Sequence, residues 1–134
     1  MTNNFQATDI LHFDRYFFTD SKKHSRRFAL VLLPSAVMNY TNNLLCSVIT
    51  SKKEKYYALK LEKDKYECFT CDSYVCFRRR DIEALDDLSN KYQPVGKLSK
   101  LDIKEAFKII KKVFYGAGDT LLMATVIREW KQIK

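Results

Sequence analysis

The chain has 134 residues, with 24 Lys and Arg against 16 Asp and Glu and a formal net charge of +8. That length suits one domain of the common ~100–150-residue size; it excludes a two-domain enzyme, and the lack of an internal period excludes a repeat array. At 46% hydrophobic residues, with nine Phe and eight Tyr, the sequence can build a core, unlike a disordered basic tail, which is poor in aromatics.

Thr8 to Phe18 is aromatic and partly alternating, with Ile10, His12 and Asp14 set against Leu11, Phe13 and Arg15, and predicts a first strand. A polar, basic loop follows over Thr19–Ser25. Phe28-Ala-Leu-Val-Leu-Leu33 is a continuous apolar run, the pattern of a strand buried on both faces. Pro34 and Ser35 close it, and Ala36–Asn39 suits a short helical turn. Leu44–Thr50 is the next predicted strand, Ser51–Lys55 a charged turn, and Tyr56–Leu61 a strand with clear alternation. Lys63-Asp64-Lys65 turns into a predicted strand at Tyr66–Thr70. Another follows over Ser73–Arg79, Asp81–Leu85 begins a crossing segment, and Val95–Leu98 is short and extended.

A helix is then predicted over residues 99–115. Ser99 is its N-cap, and Asp102 at the third helical position makes a short-armed capping box. Leu101, Ala106, Phe107, Ile110, Val113 and Phe114 recur at helical spacing, while Lys100, Lys104, Lys108, Lys111 and Lys112 fill much of the rest. Gly116 and Gly118 stop it. A second helix from Thr120 to Gln132 has Leu121, Leu122, Val126 and Trp130 as its apolar face. Five to seven short strands with late helices describe a mainly β fold with α additions, a small curled barrel. Residues 1–115 are expected to form the barrel domain and 116–134 a C-terminal helical extension.

Residues 1–88 carry 14 basic and 12 acidic side chains, and residues 89–134 carry 10 and 4. The surplus therefore belongs to the C-terminal third, on what reads as the solvated face of the first helix. It favours an acidic partner, either nucleic acid or an acidic protein segment. No stretch reaches the ~18 consecutive apolar residues of a membrane span. Residues 1–14 lack a basic stretch followed by an apolar core, so a cytoplasmic protein with reduced thiols is expected. Cys68-x2-Cys71 has metal-ligand spacing, but no second such pair follows and His12 and His24 lie far upstream. Cys46, Cys68, Cys71 and Cys76 are read as small apolar groups and no cofactor is expected; a zinc-stabilised regulator using Cys68, Cys71 and Cys76 is the weaker alternative.

Four constellations could carry chemistry. Lys22-Lys23-His24-Ser25-Arg26-Arg27 is a basic loop directly before a buried strand, where a rigid scaffold would fix its side chains. Thr50-Ser51-Lys52-Lys53 ends a strand with hydroxyls and cations suited to phosphate oxygens, although Thr-Ser is also ordinary turn chemistry. Asp72-Ser73 is the third. The fourth is Arg78-Arg79-Arg80 before Asp81, where strand alternation sets Arg78 and Arg80 on one face and leaves Arg79 to reach Asp81 or Glu83. The rest of the sequence lacks a Gly-rich phosphate loop, an HExxH and a GxSxG motif.

In order, Asp9-Ile10, Arg27-Phe28-Ala-Leu-Val-Leu-Leu33, Val48-Ile-Thr-Ser51, Asp72-Ser-Tyr-Val75 and Val95-Gly-Lys-Leu-Ser99 resemble the PemK/MazF family of toxin endoribonucleases of type II toxin–antitoxin systems. That family opens with Gly-Asp-Ile, continues with Arg-Pro-Ala-Leu-Val, Ile-Thr-Ser and a Ser-Val strand, and reaches Ile-Gly-x-Leu-Ser before its last helix. The match covers roughly residues 8–114. The resemblance implies an SH3-like twisted β-barrel with a C-terminal helix, a homodimer, and metal-free cleavage of single-stranded RNA by 2′-hydroxyl attack. It implies an acidic antitoxin as partner. It also implies that Arg27 stabilises the phosphate charge or acts as acid, and that Thr50 bonds the scissile phosphate with Ser51 beside it. His24 is the candidate base. Lys23, Arg26, Lys52, Lys53, Arg78 and Arg80 are candidate RNA contacts. Thr8 stands where the family has its opening Gly, Phe28 where it has Pro, and Arg78 or Arg79 where many members carry an acidic or amide residue. The alternative is a non-catalytic module that grips nucleic acid or protein on the same barrel.

Overall fold

The structure is a computed structural model that describes residues 6–13, 27–34, 43–53, 56–78, 81–86, 92–115 and 121–133. Its strands are β1 (Asp9–Phe13), β2 (Arg27–Leu33), β3 (Asn43–Thr50), β4 (Ala58–Leu61), β5 (Ser73–Cys76), β6 (Ile82–Asp86) and β7 (Tyr92–Lys97), followed by helices α1 (Lys100–Tyr115) and α2 (Leu121–Lys131). The sheet runs β4-β5-β3-β2-β1-β7, all neighbours antiparallel. One edge of β3 is filled by β2. The other is divided: β5 takes Ile49 and Thr50, and β6 takes Asn43 to Ser47. A single long strand thus serves two partners on one edge, which curls the sheet.

The apolar run of β2 behaves as its pattern requires, with Ala29 to Leu33 all buried. Alternation sends Leu30 and Leu32 into the main core with Ile10, Ile49, Val75, Leu61 and Phe77. Helix α1 lies against β4 and α2, and α2 against β2. Both helices contribute to that core, through Ala106 and Ile110 and through Val126 and Trp130. The indole Nε1–H of Trp130 donates to the Leu32 carbonyl at 3.0 Å. Leu32 sits where the β2–β3 register slips between Val31 and Leu33, so a bulge turns a backbone acceptor toward the helix.

Ser99 caps α1 as its sequence predicts: its Oγ accepts the Asp102 N–H at 3.2 Å, and its carbonyl accepts the Ile103 N–H at 2.9 Å. The return arm of the capping box is longer than the sequence suggests. The Ser99 N–H donates to the Tyr66 hydroxyl at 3.0 Å, and that hydroxyl donates to Asp102 at 2.5 Å. Asp102 is too short to reach the N-cap amide as Glu would, and Tyr66 bridges the gap. Burial, and then the bond to Asp102, push the Tyr66 phenol above its ordinary pKa.

Three expectations are corrected. Residues 66–70 form turns, not a strand. Tyr66 and Phe69 both enter the core at a spacing of three, and the Phe69 N–H donates to the Tyr66 carbonyl at 3.2 Å; a strand would have sent them to opposite faces. Leu101 does not join the apolar stripe of α1 but is 70% exposed. The buried line runs through Asp102, Ala106 and Ile110, and one residue back is rotated by about 100° around the helix. Strand β4 begins at Ala58, later than expected, because Tyr57 has a positive φ of 52°. The predicted continuation of β1 beyond Phe13, the turn at residues 36–39 and the stop at Gly116 and Gly118 lie outside the described residues. So do Arg79 and Arg80.

Thr8 enters β1 with φ of 78°, the left-handed region that disfavours a Cβ. Its N–H donates to the Val31 carbonyl at 2.8 Å, and its carbonyl accepts the Leu98 N–H at 3.1 Å. The residue therefore clips β2 to the end of β7. Its side-chain hydroxyl is buried and has no hydrogen-bond partner among the described residues.

Candidate functional site

The sheet register gathers two of the sequence-derived site residues. Arg27 pairs with Phe13 on one side, and Phe28 with Ile49 on the other. One residue beyond Phe28↔Ile49, the antiparallel register sets the backbone of Arg27 alongside Thr50. Thr50 in turn pairs with Tyr74, and Tyr74 with Lys60. A row Arg27–Thr50–Tyr74–Lys60 thus crosses four strands at the end of the sheet. Neighbouring strands lie about 4.8 Å apart, so successive members of the row are within side-chain reach.

The alternation that sends Ile49, Val75 and Leu59 into the core turns Thr50, Tyr74 and Lys60 to the opposite face. Thr50 and Tyr74 are half-buried there and Lys60 is exposed. The Thr50 Oγ1 accepts the Lys52 N–H at 3.1 Å, which folds the chain over the strand end as a hydroxyl turn. With its oxygen so engaged, the hydroxyl can still donate its proton to an external acceptor. Ser51, Lys52 and Lys53 follow in an exposed bend. Hydroxyl and ammonium donors on one strand end can hold the oxygens of a phosphodiester.

The charges beside the row are ordered. The Lys63 N–H donates to Asp72 at 3.0 Å and, ahead of the nearby lysine charges, holds that carboxyl below its ordinary pKa. Asp72 therefore stays anionic and sits 3.7 Å from the Lys60 ammonium, with both side chains about half exposed. Arg78 is engaged otherwise: its Nε donates to Asp81 at 2.7 Å, with side chains 24% and 16% exposed. The pairing that the sequence offered to Arg79 is made by Arg78, across the turn in which the Asp81 N–H bonds the Arg78 carbonyl.

His24, Lys23, Arg26 and Arg80 lie outside the described residues, as does the side chain of Arg27. Tyr74 and Lys60 were not among the residues singled out by sequence. The alternation of Asp72-Ser-Tyr-Val75 places Tyr74 opposite the core-facing positions, but only the pairing of β3, β5 and β4 reveals its neighbours. Among the described residues, no three His, Cys, Asp or Glu side chains gather as a metal ligand set. Cys46 and Cys76 are buried, Cys71 is exposed, and burial pushes the half-buried Cys68 thiol above its ordinary pKa. No described helix is long and apolar enough to cross a membrane.

Comparison with solved structures bears on this arrangement. A MazE–MazF complex from Deinococcus radiodurans aligns over 84% of this chain and 94% of its own, with TM-score 0.60 and 20% identity. A second MazE–MazF structure from the same organism covers 85% and 96%, with TM-score 0.62 and 17% identity. The chain has the MazF fold. A structure of MazF alone from that organism agrees, at TM-score 0.61 over 81% of this chain and 94% of its own, with 17% identity. Neither a protein-family model nor a curated protein sequence matches the chain at a significant level. The mainly β barrel with α additions that the sequence resemblance implied is thus present, and the strand end bearing Arg27 and Thr50 belongs to a MazF-like barrel.

Proposed function

We propose that this chain is the toxin component of a type II toxin–antitoxin system and a metal-independent endoribonuclease acting on single-stranded RNA. The observation that carries the reading is the adjacency of Arg27 and Thr50 in neighbouring strands of a MazF-like barrel. In the reaction, a base takes the proton of a ribose 2′-hydroxyl and the 2′-oxygen forms a bond to the adjacent phosphorus. The bond from phosphorus to the 5′-oxygen breaks, and an acid returns a proton to that oxygen. The products are a 2′,3′-cyclic phosphate and a free 5′-hydroxyl. Charge accumulates on the non-bridging oxygens at the crowded phosphorus, where preorganised donors act most strongly. Thr50 supplies its remaining hydroxyl proton there, and Arg27 supplies a guanidinium that can fork onto two oxygens. His24 is the base of this reading.

Lys23, Arg26, Ser51, Lys52, Lys53, Arg78 and Arg80 complete the proposed RNA contacts; Arg78 would have to exchange its Asp81 carboxylate for a phosphate. An acidic antitoxin segment occupies the same basic face, the functional enzyme is a homodimer, and it acts in the cytoplasm. The C-terminal lysines Lys100, Lys104, Lys108 and Lys112 are exposed; they raise the local concentration of polyanions rather than touch the reacting atoms.

Incubation of the purified protein with a long unstructured RNA in EDTA, read for 2′,3′-cyclic phosphate ends, tests this. Cleavage by the wild type is expected, with loss of about 10²–10³-fold in Arg27→Ala, as for removal of an oxyanion donor, and a smaller loss in Thr50→Ala. RNA that is bound but never cut would assign the barrel to a non-catalytic binding module instead.

A further inference from the structure

We propose that Tyr74, with Lys60 beside it, forms a nucleotide subsite in which one base of a single-stranded RNA stacks on the tyrosine ring while Lys60 holds the adjoining phosphate. The inference rests on the RNA-cleaving reading of the Arg27–Thr50 strand end and extends it by two strands. Tyr74 is the direct cross-strand partner of both Thr50 and Lys60. A strand anchored at the Thr50 phosphate therefore meets an aromatic face and then a cation within two inter-strand steps. The side chain of Tyr74 is half-buried on the face opposite the main core, and it makes no aromatic contact or side-chain hydrogen bond among the described residues. Its ring is available as a platform, and every base has a face to lay on it.

Charge points to the same occupant. Lys52 and Lys53 are exposed in the bend just beyond Thr50, and Lys60 is exposed at the far end of the row. Among the described residues, the carboxylate paired with Lys60 is Asp72, 3.7 Å away in a pair about half exposed. A long, solvated pair of this kind contributes little, so a phosphate can replace the carboxylate as the partner of Lys60. Tyr56, 73% exposed, and Tyr57, 49% exposed, flank the same β3–β4 connection and offer further aromatic surface. An apolar protein segment would leave three ammonium groups unpartnered, whereas an oligonucleotide satisfies both the rings and the cations.

The test separates binding from cleavage by using an uncleavable probe, a fluorescein-labelled eight-residue oligonucleotide with 2′-O-methyl riboses, followed by anisotropy at two salt concentrations. Tyr74→Phe keeps the ring and should bind within twofold of wild type. Tyr74→Leu keeps apolar bulk for the fold but removes the stacking face, and should bind about 5- to 150-fold more weakly, the range for one lost base stack. Lys60→Gln should lower the slope of log affinity against log salt by about one phosphate contact, while Lys131→Gln, in the last turn of α2, should leave it unchanged. Circular dichroism of each variant establishes that it is folded. Equal binding by folded Tyr74→Leu and wild type overturns the subsite, as does Tyr74-dependent binding of a poly-glutamate peptide but not of the oligonucleotide. Cleavage intact with Tyr74-independent binding refutes the subsite alone. Tyr74-dependent binding without cleavage refutes the catalytic reading alone.

Discussion

Replacing Thr8 with glycine should stabilise the protein, although it deletes a buried side chain. The φ of 78° costs a residue with a Cβ about 1–2 kcal/mol, and a buried hydroxyl without a partner costs about 1–3 kcal/mol. Glycine gives back about 0.5–1 kcal/mol through its greater freedom in the unfolded chain, and the lost methyl forfeits about 0.8 kcal/mol of burial. Midpoints leave Thr8→Gly about 2 kcal/mol more stable than wild type, a rise in Tm of roughly 4–10 °C for a chain of this size. Thr8→Ala removes the hydroxyl but keeps the Cβ in the left-handed region, so it should fall between the two. Urea unfolding followed by circular dichroism measures all three. A glycine variant no more stable than the alanine variant would show that the backbone at this position carries no strain, and the reasoning would fail. The same φ gives a physical meaning to the glycine that opens the PemK/MazF pattern: the residue that clips β2 to β7 must turn left-handed, whatever its side chain.

Two further outcomes follow from the contacts of the helices. Tyr66→Phe removes the hydroxyl that links the Ser99 N–H to Asp102 and should cost about 1–3 kcal/mol at neutral pH. Because the Tyr66 pKa is raised in the folded state, the unfolded chain ionises first, near pH ~10. The hydroxyl's contribution is therefore complete below that pH and is lost as pH rises through the higher folded pKa. The stability gap between wild type and Tyr66→Phe should be constant from pH 7 to 9 and narrow above 10; a gap that widened would contradict the linkage. Trp130→Phe leaves the Leu32 carbonyl without its indole donor and should cost about 2–3 kcal/mol in urea unfolding, and a loss near zero would show that water replaces the bond.

Local signals were the ones the sequence displayed openly. The apolar run of β2, the Ser99 cap and the alternation of β4 each depend on neighbours a few residues away, and each was readable. The turn at Tyr66–Phe69 was not, because two aromatics at a spacing of three fit a short strand's composition as well as a turn's geometry. Leu101 was misplaced for a related reason: the helix was recognised, but its rotation is fixed by Asp102 and Tyr66, a contact across 36 residues. The site was legible in part. Arg27 and Thr50 stood out by resemblance, yet their adjacency depends on the β2–β3 register. Tyr74 and Lys60 were invisible as partners until three strands were paired.

Trp130 is the single tryptophan of the chain, and its bond to Leu32 spans 98 residues. It lies in the same core as Val126 and the barrel strands. During synthesis the barrel face at Leu32 must therefore wait for about 100 further residues before its indole partner arrives, a delay of roughly 5–20 s at usual translation rates. A nascent chain that already carries every strand still lacks the indole that closes its core. The order in which the chain emerges thus keeps full packing of the barrel behind the making of its C-terminal helix. Fluorescence of one buried indole would time that final docking step.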